Sequence, residues 1–247
     1  MVAAAKEKQE KKLTLLGHLQ EIRRRLVYCV IALIITVAIS FFLTDRIIVF
    51  LELYVPDDVE IIVIEVTENF GVWFKVCLYS ALVMALPFFI LQLVLFIRPA
   101  LTRKERAYLY LLMPAVLLCF VGGAAFAWYV FLPNALHFLL TFGTEYATPQ
   151  IRLGNLISFE VQIIFWMGIV FELPVVAFFL AKIGILNYRS LAKQWRWGFL
   201  GAIVAAAIIT PTPDPINCAI VAAPICLLYL LSILTAWIAR PGKKATG

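Results

Sequence analysis

Glu172 stands alone in an apolar run, Gly168-Ile-Val-Phe-Glu-Leu-Pro-Val-Val-Ala-Phe-Phe-Leu180. A charged side chain at the centre of a bilayer costs about 2.5–3.5 kcal/mol or more, so water, a partner chain or a proton must offset it. Two other acids lie in cationic settings. Glu21 precedes Arg23, Arg24 and Arg25, and Glu105 lies in the basic loop Phe96-Ile-Arg-Pro-Ala-Leu-Thr-Arg-Lys-Glu-Arg106. The plainest role for Glu21 is a pair with Arg25 one helical turn away, worth a few tenths of a kcal/mol. The plainest role for Glu105 is a solvated turn. Together the two acids could do more, gripping a pair of guanidinium groups through bidentate, charge-assisted bonds. Asp214, in Thr210-Pro-Thr-Pro-Asp-Pro215, is either the cap of a following helix or a working acid. Glu160 precedes Glu172 by twelve residues and is turned from it by about 120°, so the two share no helix face. It is expected at the water boundary.

Other chemistries find no support in the residues. There is no GxSxG, HExxH or phosphate loop, and no carboxylate pair on one helix face, so the chain reads as a non-enzyme. The five cysteines all lie in apolar stretches without metal or disulfide spacing, and only two histidines occur, His18 and His137. These read as small buried hydrophobes, with no metal or cofactor expected. The basic residues are explained by membrane orientation and lipid contact, without a nucleic-acid partner.

The elements that must hold these acids are membrane helices. Of the 247 residues 64% are hydrophobic and 15% charged, with a mean hydropathy of +0.97 and a net charge of +6. A backbone in lipid must satisfy its own hydrogen bonds, and long apolar runs without period-2 alternation choose helices over a barrel. Six spans are predicted, at about 26–44, 69–97, 107–132, 155–181, 197–210 and 216–239, between a disordered tail at 1–12 and a second tail at 241–247. The fifth has only about 14 residues before Pro211, roughly 21 Å of a 30 Å core, which predicts a locally thinned bilayer. All the basic residues except Arg46, Lys75 and Arg152 fall on one side of this topology, which predicts cytoplasmic termini. The segment 135–140 reads as an amphipathic cap at the opposite interface, and 61–64 as a short strand or helix. No cleavable signal peptide is expected.

Taken together, these stretches resemble the TatC family, the receptor subunit of the twin-arginine protein translocase. The resemblance rests on His18-Leu-Gln-Glu-Ile-Arg-Arg-Arg-Leu26, on the loop from Phe96 to Arg106, and on Gly122-Gly-Ala-Ala-Phe126 before Pro133. Ser158-Phe159, Phe171-Glu-Leu-Pro174 and the turn ending at Asp214 extend it. Trp128 stands where a tyrosine is common, and Glu160 is unusual for the family. The resemblance implies an all-α membrane protein of six helices in a cupped bundle, with short fifth and sixth spans, in the cell (inner or plasma) membrane. It implies that Glu21, Phe96 and Glu105, with Arg23 nearby, bind the consecutive arginines of signal peptides on folded precursor proteins. It implies that Glu172 faces a concave, lipid-open surface where TatA-type and TatB-type single-span subunits dock, and that other copies of the chain join the assembly. Asp214 matches an acidic position in the last extracytoplasmic turn. The competing reading is an ion-coupled secondary transporter using Glu172 as its coupling carboxylate.

Overall fold

The computed structural model describes residues 2–54, 60–97, 103–141, 150–210 and 215–239, without the side chains of 2–16, 18, 60, 94, 97, 103–112 and 217. Helix α1 (Val2–Leu51) is unbroken for 50 residues and ends in a 3-10 turn, Glu52–Tyr54. Residues 2–12, expected as a disordered tail, continue this helix, as suits a segment of Ala, Lys, Glu and Gln, all strong helix formers. The expected boundary at Asp45 is also absent. Asp45 accepts a hydrogen bond from Trp73 Nε1 at 2.8 Å, so its carboxylate is satisfied on the helix surface without a break.

Helix α2 (Glu68–Ile97) packs along α1. In lipid no hydrophobic force draws two helices together, so close packing and hydrogen bonds must do it. Ser40 Oγ donates to the Cys77 carbonyl at 2.9 Å and touches Ser80 Oγ, while Thr44 Oγ1 donates to the Ser40 carbonyl at 2.8 Å. Both Ser40 and Thr44 are fully buried.

Away from this knot, the α1–α2 connection pairs with a distant one. Strand β1 (Glu60–Ile62) lies parallel to β2 (Gln150–Arg152), with Ile61 opposite Ile151. A carboxylate at the start of α2 locks the two connections. Glu68 accepts from the backbone N–H groups of Gly154 at 2.8 Å, Ile64 at 3.1 Å and Glu65 at 3.3 Å. Arg152 reaches Glu68 at 2.9 Å and Glu65 at 2.8 Å. These bonds, that to Glu68 foremost, raise the Arg152 pKa above its ordinary value.

Helix α3 (Arg103–Phe126) passes through a π turn, Ala127–Phe131, into α4 (Leu132–Thr141). Trp128 of that turn stacks on Phe50 at 4.2 Å and lies 4.6 Å from Tyr54, measured between ring centroids. Helix α4 buries Leu132, Ala135 and Leu136 on one face, the amphipathic spacing expected of 135–140.

The predicted fourth span is one apolar stretch, Leu153–Lys182, made of helices α5 (Leu153–Val170) and α6 (Leu173–Lys182), which meet at a turn over Phe171 and Glu172. The short α7 (Tyr188–Lys193) leads into α8 (Trp195–Ile209), and α9 (Pro215–Ile238) closes the bundle against α6 and α8. Among the described residues, five helical stretches are long and apolar enough to cross a bilayer: Leu19–Tyr54, Glu68–Leu93, Met113–Thr141, Leu153–Lys182 and Cys218–Ile238. Helix α8, at 15 residues, rises only about 22 Å, in keeping with the short fifth span. The sixth span is where the sequence placed it, at 216–239, but it is not short as the resemblance implies: α9 has 24 residues, about 36 Å.

The contact between α3 and α5 is close because glycines line it. A Cβ at Gly168 would meet the Phe120 ring at 2.5 Å, and one at Gly123 would meet the Met167 carbonyl oxygen at 2.7 Å. Small residues that let backbones approach are a standard means of holding membrane helices together. Replacing Gly168 by Leu is expected to destabilise the protein by about 1–3 kcal/mol, as overpacking does. The measurement is the unfolding midpoint in detergent, and an unchanged midpoint would contradict this contact.

Candidate functional site

The three predicted acids separate into two places and one unknown. Glu21 lies on α1 where the helix meets the C-terminal turns of α2. Its Oε1 accepts from Arg25 Nη2 at 2.5 Å and Nε at 3.1 Å, the one-turn pair that spacing suggests. The arginine does more than that pairing requires. Arg25 Nη2 also donates to the Leu95 carbonyl at 2.9 Å, and Nη1 to the Gln92 carbonyl and side-chain oxygen, each at 3.4 Å. One guanidinium thus ties α1 to the end of α2 and fixes the Glu21 carboxylate, whose side chain stays 32% exposed.

That carboxylate borders a cleft of about 490 Å³ lined by Gly17, Gln20, Glu21, Arg24, Arg25, Tyr28, Gln92 and Leu95. Arg24 Nε donates to Tyr28 Oη at 3.0 Å along the same wall. Phe96, half-buried in the last turn of α2, follows the cleft residue Leu95. Arg23 does not line the cleft. It is exposed, and two positions along a helix is a turn of about 200°, so it points away from Glu21. Glu105 falls in the first turn of α3, but its side chain lies outside the described residues. Asp214 lies outside them altogether. Gln92 was not singled out from sequence, and Arg25 only as the one-turn partner of Glu21. Arg25 stood in the basic run, but its reach to α2 is not a local property.

Glu172 occupies the turn between α5 and α6. Neither carboxylate oxygen is exposed, and neither has a hydrogen-bond partner among the described residues. The break around it is repaired by backbone bonds. Phe171 N–H donates to the Met167 carbonyl and Glu172 N–H to that of Ile169, both at 3.0 Å, while the Glu172 carbonyl accepts from Val175 and Val176. Pro174 sits in the first turn of α6, where its missing N–H breaks no helical bond.

Glu160 corrects an expectation. Predicted at the water boundary, it is fully buried in α5, and both its oxygens lack partners among the described residues. Its neighbours Ile157, Phe159, Val161 and Ile163 are all core residues. The helix face toward the bundle interior carries it inward, whatever its depth along the chain.

Comparison with known proteins bears on this geometry. The family model described as "Sec-independent protein translocase protein (TatC)" matches residues 17–224. The chain belongs to the TatC family. The TatC protein of Carboxydothermus hydrogenoformans is 32% identical over 240 residues, 97% of this chain and 98% of that one. The TatC protein of Koribacter versatilis is 33% identical over 241 residues, covering 95% and 89%. A crystal structure of the twin-arginine translocase receptor TatC superposes with a TM-score of 0.83 at 33% identity, over 90% of this chain and 99% of that one. As a TatC protein, the chain is a multi-pass membrane component of the Sec-independent, twin-arginine translocase and not an enzyme. The ion-coupled transporter reading draws no support from these relatives.

In this TatC chain, Arg25→Gln should strand the Gln92 and Leu95 acceptors and release Glu21, lowering stability by about 1–3 kcal/mol. Arg25→Lys should recover only part, because an ammonium with three donors on one nitrogen cannot span the four acceptor oxygens of Glu21, Gln92 and Leu95 as a planar fork does. Unfolding midpoints of the two variants in detergent check this, and equal recovery by lysine would contradict the bridging role.

Proposed function

We propose that this chain is the receptor subunit of its translocase and reads the consecutive arginines of signal peptides at the Glu21 cleft. The observation that carries this reading is the partly exposed Glu21 carboxylate, held rigid by Arg25 at the rim of a groove between α1 and α2. A carboxylate already oriented spends no rotamer entropy on binding. It offers a second oxygen to a guanidinium, which stays charged at any working pH and matches carboxylates as a planar fork.

The local charge explains why a second acid belongs to the site. Glu21 is flanked in the cleft by Arg24 and Arg25, so the cleft alone is net cationic and repels an incoming pair of arginines. Glu105, in the first turn of α3, supplies the missing negative charge. Phe96 provides apolar contact between them, and Arg23 acts on the outer face of α1 rather than as a ligand. This end of the bundle is the cytoplasmic one, with both termini inside and six crossings, α8 among them, in the cell membrane. The short α8 thins the bilayer beside it.

Glu172 serves assembly in this reading. Its unpartnered carboxyl group, in a turn between two membrane helices, accepts a hydrogen bond from a polar residue on a TatA-type or TatB-type single-span subunit. Further copies of the chain complete the complex, and Asp214 acts in the last extracytoplasmic turn.

Glu21→Ala and Glu105→Ala should each reduce crosslinking of an Arg-Arg signal peptide at least about tenfold, the loss of one charge-assisted bond. Undiminished crosslinking in both variants would overturn the proposal. Glu172→Ala should leave peptide crosslinking intact and cut co-purification of single-span partners about fivefold or more, as a hydrogen bond of roughly 1–2 kcal/mol in lipid implies. Recovery of those partners at wild-type yield would remove Glu172 from the interface.

A further inference from the structure

A second cavity, unconnected with either acid, lies at the corner where α6 turns into α7. It measures about 300 Å³. Its floor is apolar, built from Ala181 of α6, Ala236 of α9 and Leu186 of the turn, and its lip is polar, formed by Asn187, Tyr188 and Arg189. Ala181 and Ala236 are buried at 3% and 1% exposure, so the floor reaches into the seam between the two helices. Gly184, at φ +81°, makes the sharp turn that opens the corner.

The lip is organised. Asn187 Oδ1 accepts from the Arg189 backbone N–H at 3.0 Å, and Arg189 Nε donates to Tyr188 Oη at 2.7 Å, with the guanidinium 5.8 Å from the ring centroid. These bonds hold the Arg189 guanidinium by one edge. Its two terminal amino groups and the Asn187 amide nitrogen have no partner among the described residues. Lys182 ends α6, just before the same turn.

The corner lies at one end of the bundle. Phe179 of α6 packs with Ile90 of α2 and Met113 of α3, which puts the end of α6 at the same end of the bundle as the Glu21 cleft. An apolar floor beneath a cationic, hydrogen-bonding lip matches the junction between a phospholipid's phosphate and its acyl chains. Basic pockets between membrane helices on the cytoplasmic side are known lipid headgroup sites.

We propose that this cavity binds the phosphate group of an anionic phospholipid, with Arg189 and Asn187 as ligands and the Ala181–Ala236 seam receiving the start of an acyl chain. The proposal rests on the reading above only for which leaflet supplies the lipid. The test reads lipid retention without a signal peptide, so its failure and the failure of the receptor reading are separate results.

The experiment is native mass spectrometry of the purified full chain, with dioleoylphosphatidylglycerol or dioleoylphosphatidylcholine added to the detergent. The expected result is one tightly retained phosphatidylglycerol, favoured over phosphatidylcholine by about fivefold or more, and a loss of that preference in Arg189→Gln. Arg196→Gln, at another basic residue of the same region, should leave the preference intact. Inorganic phosphate in large excess should not displace the lipid. Equal retention of the two lipids, undiminished preference in Arg189→Gln, an equal loss in Arg196→Gln, or displacement by free phosphate would each overturn the assignment.

Discussion

A bilayer core offers no hydrogen-bond partner to a backbone N–H or carbonyl, and at two helix interruptions among the described residues the protein itself makes good the loss. At the α5–α6 turn the freed amides bond back to Met167 and Ile169. The Pro174 carbonyl accepts from Thr235 Oγ1 of α9 at 2.8 Å. In the π turn before α4, the Leu132 N–H finds the Ala127 carbonyl. Because the α5–α6 break is repaired internally, the Glu172 carboxyl group is not called on to cap it. Both its oxygens are buried and have no hydrogen-bond partner among the described residues.

The same constraint sorts the other polar side chains. Serines and threonines close on nearby carbonyls: Ser40 on Cys77 across to α2, Thr44 on Ser40, Ser232 on Leu228. These short hydroxyls stitch helices together without burying charge. The ion pairs among the described residues instead lie at the two ends of the bundle. At one, Arg25 bridges Glu21 to the end of α2. At the other, Glu68 and Arg152 join two connections that are far apart in sequence. Each cluster fixes a helix end while exposing part of its charge, which suits surfaces that must be rigid and still bind. Glu160 stands outside this pattern, buried within α5 with no protein partner described.

Much of this was legible in residue order. Apolar runs of a bilayer's length gave the helices and the short α8, because in lipid a helix is the only open solution for such a run. Charge in an apolar run singled out Glu172, and acids among arginines singled out Glu21 and Glu105, because each is anomalous against its immediate neighbours. The cap helix α4 followed from its apolar spacing.

What tertiary structure decided depends on distances between residues remote in sequence. Local spacing pairs Glu21 with Arg25, but only the packing of α2 on α1 brings Gln92 and Leu95 under the same guanidinium. Helical periodicity could have turned Arg23 away from Glu21, yet the side of α1 that forms the cleft is known only once α2 lies against it. Proline in the run predicted a kinked fourth span, and the turn at Phe171 and Glu172 just before Pro174 is that kink, but only the fold shows α6 beyond it packed on α9. Glu160 was misplaced for the same reason. Sequence sets a residue's depth along its own helix, but whether that face meets water, lipid or another helix is set by the neighbours the fold assembles around it.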